Sequence, residues 1–394
     1  MILVVETTTS DELFEMGLHG HSDFDFDVRY GDETEIEIYR GSHTKFGHIY
    51  SSPGTYNVTI YARRMERWNG CLTQNLVDVL QWGTYDWGDA GLMFDNCHRL
   101  STISAVDAPH LMHARSMEYM FANCITLNAD LDHWDVSKVK WMGGVFFNAI
   151  SFNGQIGSWD TSSSIDTARM FRGARSFDQD ISGWDVSSVY DMQGMFNGAV
   201  SFNKPVGGWD VRKVEKMVGM FANTLSFNQP VGTWDVSSVQ DMNSMFSSAE
   251  SFDQTLSSWA GKMDKVKDVE WMFFKAKVFN QDLSSWTLPL VDSYFRFAQN
   301  AYRMEGPVME MKGDLKLAMA GTRINQPVSH WDATKITNLI YTFSSSFDQD
   351  ISSWSVSHLP KTKDVLEDAF GPAMVITNLP PEWREEPVVS FIRR

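Results

Sequence analysis

Tryptophan recurs every 25 residues through the middle of this 394-residue chain, and the sequence around it recurs in step. Three consecutive segments, starting at residue 176, read SFDQDISGWDVSSVYDMQGMFNGAV, SFNKPVGGWDVRKVEKMVGMFANTL and SFNQPVGTWDVSSVQDMNSMFSSAE. The evenly spaced tryptophans are Trp134, Trp159, Trp184, Trp209, Trp234 and Trp259. A strict period of this length is typical of stacked structural units and not of a compact enzyme.

Each copy predicts one short strand and one short helical turn. The first half, for example Phe177 to Ser187, sets Gly, Ser and polar residues between apolar ones, as a strand followed by a turn does. The second half carries apolar residues in steps of three, three, one and three, from Val189 to Ala199, which indicates a helical or 3₁₀ stripe. One copy cannot bury its apolar side alone. We therefore expect a repeat solenoid with a parallel sheet, in which equivalent side chains stack about 4.8 Å apart.

Two repeated side chains admit a structural and a functional interpretation. The tryptophans are either the largest core filler or, if exposed, a flat strip for sugar rings, and their fixed spacing favours the core. An aspartate follows most of them, and a row of carboxylates invites a calcium hypothesis. We favour turn capping, in which the aspartate accepts backbone N–H groups of the next turn. These aspartates are Asp135, Asp160, Asp185, Asp210, Asp235 and Asp332.

Charge and composition exclude several classes of function. A net charge of −17 disfavours binding to nucleic acid and to anionic membranes, since both require a cationic face. No apolar run is long enough for membrane insertion, and the N-terminus lacks the pattern of a signal peptide. No nucleotide-binding, hydrolase or metalloprotease motif occurs. We predict no enzyme, no cofactor, and no catalytic, cofactor-binding or metal-binding residue.

The three cysteines and two nearby histidines raise two further possibilities. Cys97 and Cys124 hold matching positions in MFDNCHRL and MFANCITL, about one strand spacing apart, so a disulfide between them is feasible. Later copies carry Ala at this position, so we favour free cysteines in a small buried slot, while Cys71 stands alone. His110 and His113 could join Cys97 and Cys124 around zinc, an arrangement that we disfavour.

The period weakens at both ends of the array and once inside it. Residues 85–110 form a degenerate first coil, and residues 287–325 form a broken one, since Trp286 and Trp331 lie 45 residues apart. Such an irregularity is either a functional loop or neutral drift, because insertions in repeat proteins often form the binding face. Residues 360–394 leave the repeat and provide a C-terminal cap or a docking tail. The repeat itself is expected over residues 69–359.

The first 68 residues predict a small all-β domain. Strands are indicated at 28–30, 35–39 and 55–61, with turns at Gly31–Asp32 and Pro53–Gly54. Asp23, Asp25 and Asp27 alternate with Phe24 and Phe26, so the carboxylates share one strand face. They could hold Ca²⁺, although a solvated polar face is the interpretation that we favour.

The repeat resembles a known family. Residues 227–246, FNQPVGTWDVSSVQDMNSMF, resemble the BspA-like or DUF285 repeat of bacterial surface proteins, and the resemblance covers about residues 90–355. That family is considered leucine-rich-repeat-like, although the L-x-x-L-x-L pattern is missing here. YGDE at 30–33 and HIYSSPGTYNVTI at 48–60 resemble a PKD-type β-sandwich, with Tyr-Gly-Asp-Glu in place of W-G-D-G.

The resemblance implies surface display and adhesion toward a protein or glycan partner. Because no signal peptide is seen, we expect either a virion component, such as a phage fibre or decoration protein, or a cell-surface protein. A carbohydrate-binding module that uses the Trp ladder and a purely structural subunit are the alternatives. Oligomers or larger assemblies could form through residues 1–68 or 360–394.

Overall fold

The computed structural model describes residues 1–18, 23–65, 68–360, 369–370 and 374–384. The chain divides into two compact units, an N-terminal unit of residues 1–191 and 195–204 and a C-terminal unit of residues 192–194 and 205–394. Strands and turns account for nearly all of the described backbone, and the helices there are single 3₁₀ turns. None of these helices is long and apolar enough to span a bilayer.

Eight strands open the N-terminal unit. They are β1 (Ile2–Thr7), β2 (Glu12–Leu18), β3 (Phe24–Arg29), β4 (Glu37–Gly41), β5 (Lys45–Tyr50), β6 (Gly54–Arg64), β7 (Trp68–Cys71) and β8 (Leu76–Gln81). They form a five-stranded sheet, β4-β3-β6-β1-β8, and a three-stranded sheet, β5-β2-β7. Phe24 and Phe26 are fully buried, as the alternation along β3 predicts. The strands continue to Gln81, past the boundary expected at residue 68.

The 25-residue copies stack through backbone hydrogen bonds. In the N-terminal unit, parallel bridges join Ser116, Trp141, Asp166 and Asp191, each one copy from the last. In the C-terminal unit they join Lys216, Asp241 and Asp268, and then Ser293 with Asp314. The regular strands of this unit are β9 (Gly313–Asp314) and β10 (Ile336–Asn338), which pair in parallel. The strand contact therefore lies in the second half of the copy and not in the first half, where the sequence predicted it.

The predicted helical turn is wrong, because the second half of each copy is a run of tight turns. Amide groups bond three residues back, as Met120 does to Met117 and Ala122 does to Tyr119. Every fourth residue has a positive φ, for example 56° at Tyr119 and 58° at Asn123, which a right-handed helix does not allow. Alternate N–H groups are thereby turned toward the next copy, where Tyr119 N–H donates to the Gly143 carbonyl. Apolar residues three apart fit both conformations, so their spacing could not distinguish them.

The repeated aromatic and methionine side chains form the core. The tryptophans of the regular copies are no more than 4% exposed, and neighbouring rings stack, as Trp159 and Trp184 do at 6.2 Å. Phenylalanines form a second stack beside them, with Phe146 and Phe171 at 5.7 Å. The Trp ladder is therefore the core filler that its spacing favours, and the strip of exposed rings required for sugar binding does not form.

The described residues of the C-terminal stretch lie against the last copy. The Phe343 amide donates to the Ala369 carbonyl, and the Phe370 ring stacks on Phe343 at 5.3 Å. The Ile351 amide donates to the Asn378 carbonyl. Within the described residues, the 3₁₀ turns are Ser257–Trp259, Ala333–Lys335, Ile376–Asn378 and Pro381–Trp383. Most of the expected docking tail, at residues 361–368, 371–373 and 385–394, lies outside the described residues.

Candidate functional site

The break in the period is a shortened copy. Leu283 N–H donates to the Pro307 carbonyl just as Leu131 donates to Gln155 in a regular copy, so Met311 occupies the position of Trp159. From Trp159 to the bridging residue Asp166 the chain advances seven residues, whereas from Met311 to Asp314 it advances three. The copy at residues 301–322 has thus lost the turn that follows tryptophan elsewhere, although it still stacks on both neighbours.

A cavity of about 330 Å³ lies where that turn is missing. One wall is the loop after Trp286, with Leu288 and Pro289, and another includes Lys335 of the next regular copy. The remaining lining residues are Asp264, Thr287, Tyr294, Glu310 and Lys312. This volume is at the lower end of the range for small-ligand pockets. The cavity is therefore lined by aromatic and aliphatic surface together with the ammonium groups of Lys312 and Lys335 and the carboxylates of Asp264 and Glu310.

Glu310 and Lys312, which flank Met311, hydrogen-bond to the copies on either side of the cavity. Lys312 Nζ donates to the Pro289 carbonyl at 2.6 Å, in the preceding copy. Glu310 Oε1 accepts from the Asp332 amide at 3.0 Å, in the following copy. Asp332 in turn pairs with Lys335 at 3.0 Å. The shortened copy is thus braced on both sides, so the gap is part of a hydrogen-bonded structure and not a loosely closed space.

Tyr294 supplies an unpartnered polar group to the cavity. It occupies the position that Met142, Met217 and Met242 hold in other copies, and it is 1% exposed. Its hydroxyl makes no hydrogen bond to any residue that the structure describes, and Tyr294 lines the cavity, so the group is available to a molecule bound there. Burial, reinforced by the charges of Asp292 and Glu310, raises the pKa of this phenol. The group therefore stays neutral and can donate a hydrogen bond to a bound molecule.

The three carboxylates of the N-terminal strand are paired with arginines. Arg40 contacts Asp25 at 3.0 Å and Asp27 at 2.9 Å, and Arg63 contacts the same two carboxylates at 2.8 and 2.7 Å. Asp23 pairs with Arg64. The hydrogen bond from Arg63 is the main cause that lowers the pKa of Asp27. Four guanidinium contacts balance the charges of Asp25 and Asp27, so a calcium ion at this face would have to displace the arginines.

The cysteines pair differently from either expectation. Cys71 and Cys97 form a disulfide with their Cα atoms 5.0 Å apart, and Cys124 is a buried free thiol. Cys71 does not stand alone, because β7 stacks on the first copy, where Cys71 N–H donates to the Asp95 carbonyl. The spacing of 26 residues between Cys71 and Cys97 is within one residue of the 25-residue period, a signal that the sequence contained.

The zinc arrangement does not form. Cys97 is consumed by the disulfide, and burial raises the pKa of the Cys124 thiol, which disfavours the thiolate that zinc requires. His113 instead pairs with Asp86, and the His110 carbonyl accepts from the Trp87 amide. No group of three potential metal ligands occurs within the described ranges of the chain.

The aspartates that follow tryptophan cap turns, as the favoured interpretation held. Asp135 Oδ1 accepts from the Ser137 amide at 3.0 Å, and Asp160 does the same with Ser162. The side-chain hydrogen bond from Ser137, followed by its backbone N–H, lowers the pKa of Asp135. Equivalent bonds occur at Asp185, Asp210, Asp235 and Asp332. Each carboxylate is thus engaged within its own turn.

Comparison with known proteins gives one match. The family described as "Mycoplasma protein of unknown function, DUF285" matches residues 115–224, 198–311 and 306–378. No curated protein and no solved structure matches the chain. The matched ranges together cover about two thirds of the sequence and include the shortened copy.

Proposed function

The chain belongs to the DUF285 family of repeat proteins, and from that premise we propose that it is a non-enzymatic display or adhesion protein. In this proposal the copies form a leucine-rich-repeat-like solenoid that presents an extended face to a protein or glycan partner. Many weak contacts along such a face, repeated from copy to copy, would supply the affinity. The cavity at the shortened copy would receive one protruding group of the partner, either a sugar ring or a side chain.

One observation carries this proposal, namely the cavity built from departures from the repeat. Elsewhere the repeated residues serve the core or the turns, as the buried tryptophans and the capping aspartates do. At the shortened copy, Met311 replaces tryptophan, Tyr294 replaces methionine, and a turn is lost. The result is a braced opening with an unpartnered hydroxyl. A purely structural repeat gains nothing from such a group, whereas a binding site does.

The remaining parts have supporting roles in the proposal. We take the eight strands at the N-terminus as a PKD-like sandwich that spaces or anchors the repeat. The surface would be that of a virion or of a cell, and residues 1–68 or 360–394 would connect the protein to itself or to a larger assembly. Because the Trp ladder is buried, a glycan would bind outside it.

Immunogold labelling of the native source, with cells and purified particles imaged together, tests the display role. Gold on particles makes the protein a virion component, and gold on the cell envelope makes it a cell-surface adhesin. Label confined to the cell interior, with bare particles and bare envelopes, would overturn the proposal.

Saturation-transfer NMR with free monosaccharides and capped amino acids tests the cavity. We expect transfer to at least one compound at millimolar concentration, and loss of that transfer in Tyr294→Met, which restores the usual residue of the repeat. Tyr302→Phe is the matched control, because Tyr302 is an exposed tyrosine outside the cavity. Transfer that persists in Tyr294→Met, or absence of any transfer, would remove the cavity as the contact point.

A further inference from the structure

One copy of the N-terminal unit carries three arginines without acidic partners. Arg169, Arg172 and Arg175 follow one another at intervals of three within ARMFRGARS. Their side chains form no ion pair or hydrogen bond with any described residue, and Arg172 lies over the Phe147 ring at 5.9 Å. In a chain with a net charge of −17, guanidinium groups left unpaired together are unexpected. They create a local positive potential on an acidic protein.

Two of these arginines line a groove of about 400 Å³. Its floor is the position at which successive copies carry Asn123, Asn148, Gly173 and Gly198, all with positive φ. Gly198 lies against Gly173, since a side chain added to Gly198 would first meet Gly173 at 3.7 Å. The absence of a side chain at Gly198 leaves the floor open there, whereas the space beside Gly173 is taken by the Asn148 carboxamide.

The walls of the groove combine charge with apolar surface. Arg172 occupies in its copy the position that Phe147 occupies in the preceding copy. Arg175 likewise occupies the position that Ile125 and Ile150 occupy in the two preceding copies, and all three of these residues line the groove. Ile125 and Ile150 are 37% and 41% exposed, which is a large exposure for aliphatic side chains in a regular stack. A ligand in the groove would therefore meet guanidinium groups together with aliphatic faces.

Three of the four backbone N–H groups of the floor are already used between copies. Asn123 N–H donates to the Phe147 carbonyl at 2.6 Å, Asn148 N–H to the Arg172 carbonyl at 2.7 Å, and Gly173 N–H to the Asn197 carbonyl at 2.8 Å. Strand addition, the usual way in which an extended peptide binds along a sheet, would have to break these bonds. Recognition must come from side chains, namely guanidinium, carboxamide and aliphatic groups.

We propose that this groove binds an acidic polysaccharide. The guanidinium groups of Arg172 and Arg175 contact its carboxylate or sulfate groups, which suit the planar donor geometry of arginine. The carboxamides of Asn123 and Asn148 each already donate one N–H, to Asp95 and to Asn123, and direct the second N–H to its hydroxyl groups, while the aliphatic faces of its rings lie on Ile125 and Ile150. This site is separate from the cavity at the shortened copy and does not depend on that cavity being functional.

Fluorescence polarisation with the full chain tests the proposal. The probes are labelled oligogalacturonate and a labelled heparin-derived oligosaccharide, which distinguish carboxylate from sulfate recognition, with dextran as the neutral probe and poly-glutamate as the acidic peptide. We expect one acidic oligosaccharide to bind and its affinity to fall with added salt. The double variant Arg172→Gln, Arg175→Gln should weaken binding by roughly tenfold or more.

Two further variants keep the test independent of folding defects. Lys265→Gln with Lys267→Gln removes the same charge from another copy and should change the affinity by less than about twofold. Ile150→Glu retains both arginines but places a carboxylate in the groove, and it should also weaken binding. Equal losses in the lysine and arginine variants, no preference for acidic probes over dextran, or tighter binding of poly-glutamate would each overturn the proposal. Tyr294→Met should leave this binding unchanged.

Discussion

The indole Nε1–H of Trp159 donates to the backbone carbonyl of Leu131, 2.8 Å away in the preceding copy. The same bond recurs from Trp184 to Ile156 and from Trp354 to Val328. Tryptophan therefore does more than fill volume, because its indole adds a second hydrogen bond to a carbonyl that already accepts a backbone N–H, as the Leu131 carbonyl accepts from Trp134 at 3.1 Å. Trp134 and Trp331 have buried Nε1–H groups without a partner among the described residues, and they follow the degenerate coil and the shortened copy.

Trp159→Phe should destabilise the protein more than Trp134→Phe. Both substitutions remove ring volume, but only the first breaks a buried hydrogen bond, the one from the Trp159 indole to the Leu131 carbonyl, because the Trp134 indole N–H has no partner to lose. We expect a loss of about 2–4 kcal/mol for Trp159→Phe and roughly 1 kcal/mol less for Trp134→Phe. Guanidinium unfolding followed by circular dichroism measures both. Equal losses would show that the indole bond contributes nothing net.

Tryptophan emission should be blue-shifted and resistant to iodide. Of the tryptophans in the protein, Trp141 and Trp271 are partly exposed, whereas the others are buried. The double variant Trp141→Phe, Trp271→Phe should therefore remove most of the quenchable emission. Extensive quenching that remains in this variant would contradict a buried ladder.

Thiol titration should find one reactive cysteine in the unfolded, unreduced protein and three after reduction. The disulfide joins Cys71 to Cys97, so Cys124 is the single free thiol. Closing this loop of 26 residues should stabilise the fold by roughly 3 kcal/mol, which Cys97→Ser would remove. Cys124→Ala is the control, because alanine is the residue of most later copies, and its effect should be small. Three free thiols without reductant would exclude the bond.

Asp241→Asn should stabilise the protein at neutral pH. Burial is the main cause that raises the pKa of Asp241 above its ordinary value of 3.8, with the neighbouring Asp268 adding to it. A raised folded-state pKa contributes stability below the unfolded pKa, and that contribution is lost as pH rises through the folded value. Asparagine removes the charge and can still accept from the Asn243 amide, a bond of 2.9 Å.

The matched control is Asp235→Asn, which should have the opposite sign. The hydrogen bond from Ser237 is the main cause that lowers the pKa of Asp235, so its carboxylate stabilises the fold above the unfolded pKa. Urea midpoints between pH 3 and pH 8 compare the two variants with the parent. The Asp241→Asn advantage should disappear at low pH, and an advantage that is independent of pH would contradict the assignment to charge.

The repeat and much of its chemistry could be predicted from the sequence. The spacing of the tryptophans placed them in the core, and the aspartate after each one predicted a capped turn. The broken coil at 287–325 marked the place where the cavity lies. Cys71 was assigned no partner from the sequence, and it is the backbone contact of β7 with the first copy, from the Cys71 N–H to the Asp95 carbonyl, that brings it beside Cys97.

The sequence by itself determined the period, the buried columns of side chains and the copy that breaks the rule. These features are local or strictly periodic, so they depend on residue spacing alone. Only the tertiary structure decided that tight turns replace helices and that Tyr294 lines the cavity. It also decided that Arg40 and Arg63 pair with the carboxylates of β3. Those outcomes depend on which backbone groups and charges meet across copies or strands. These contacts are set by how the copies and strands stack in three dimensions. Apolar spacing does not determine them, because one spacing is compatible with more than one backbone conformation.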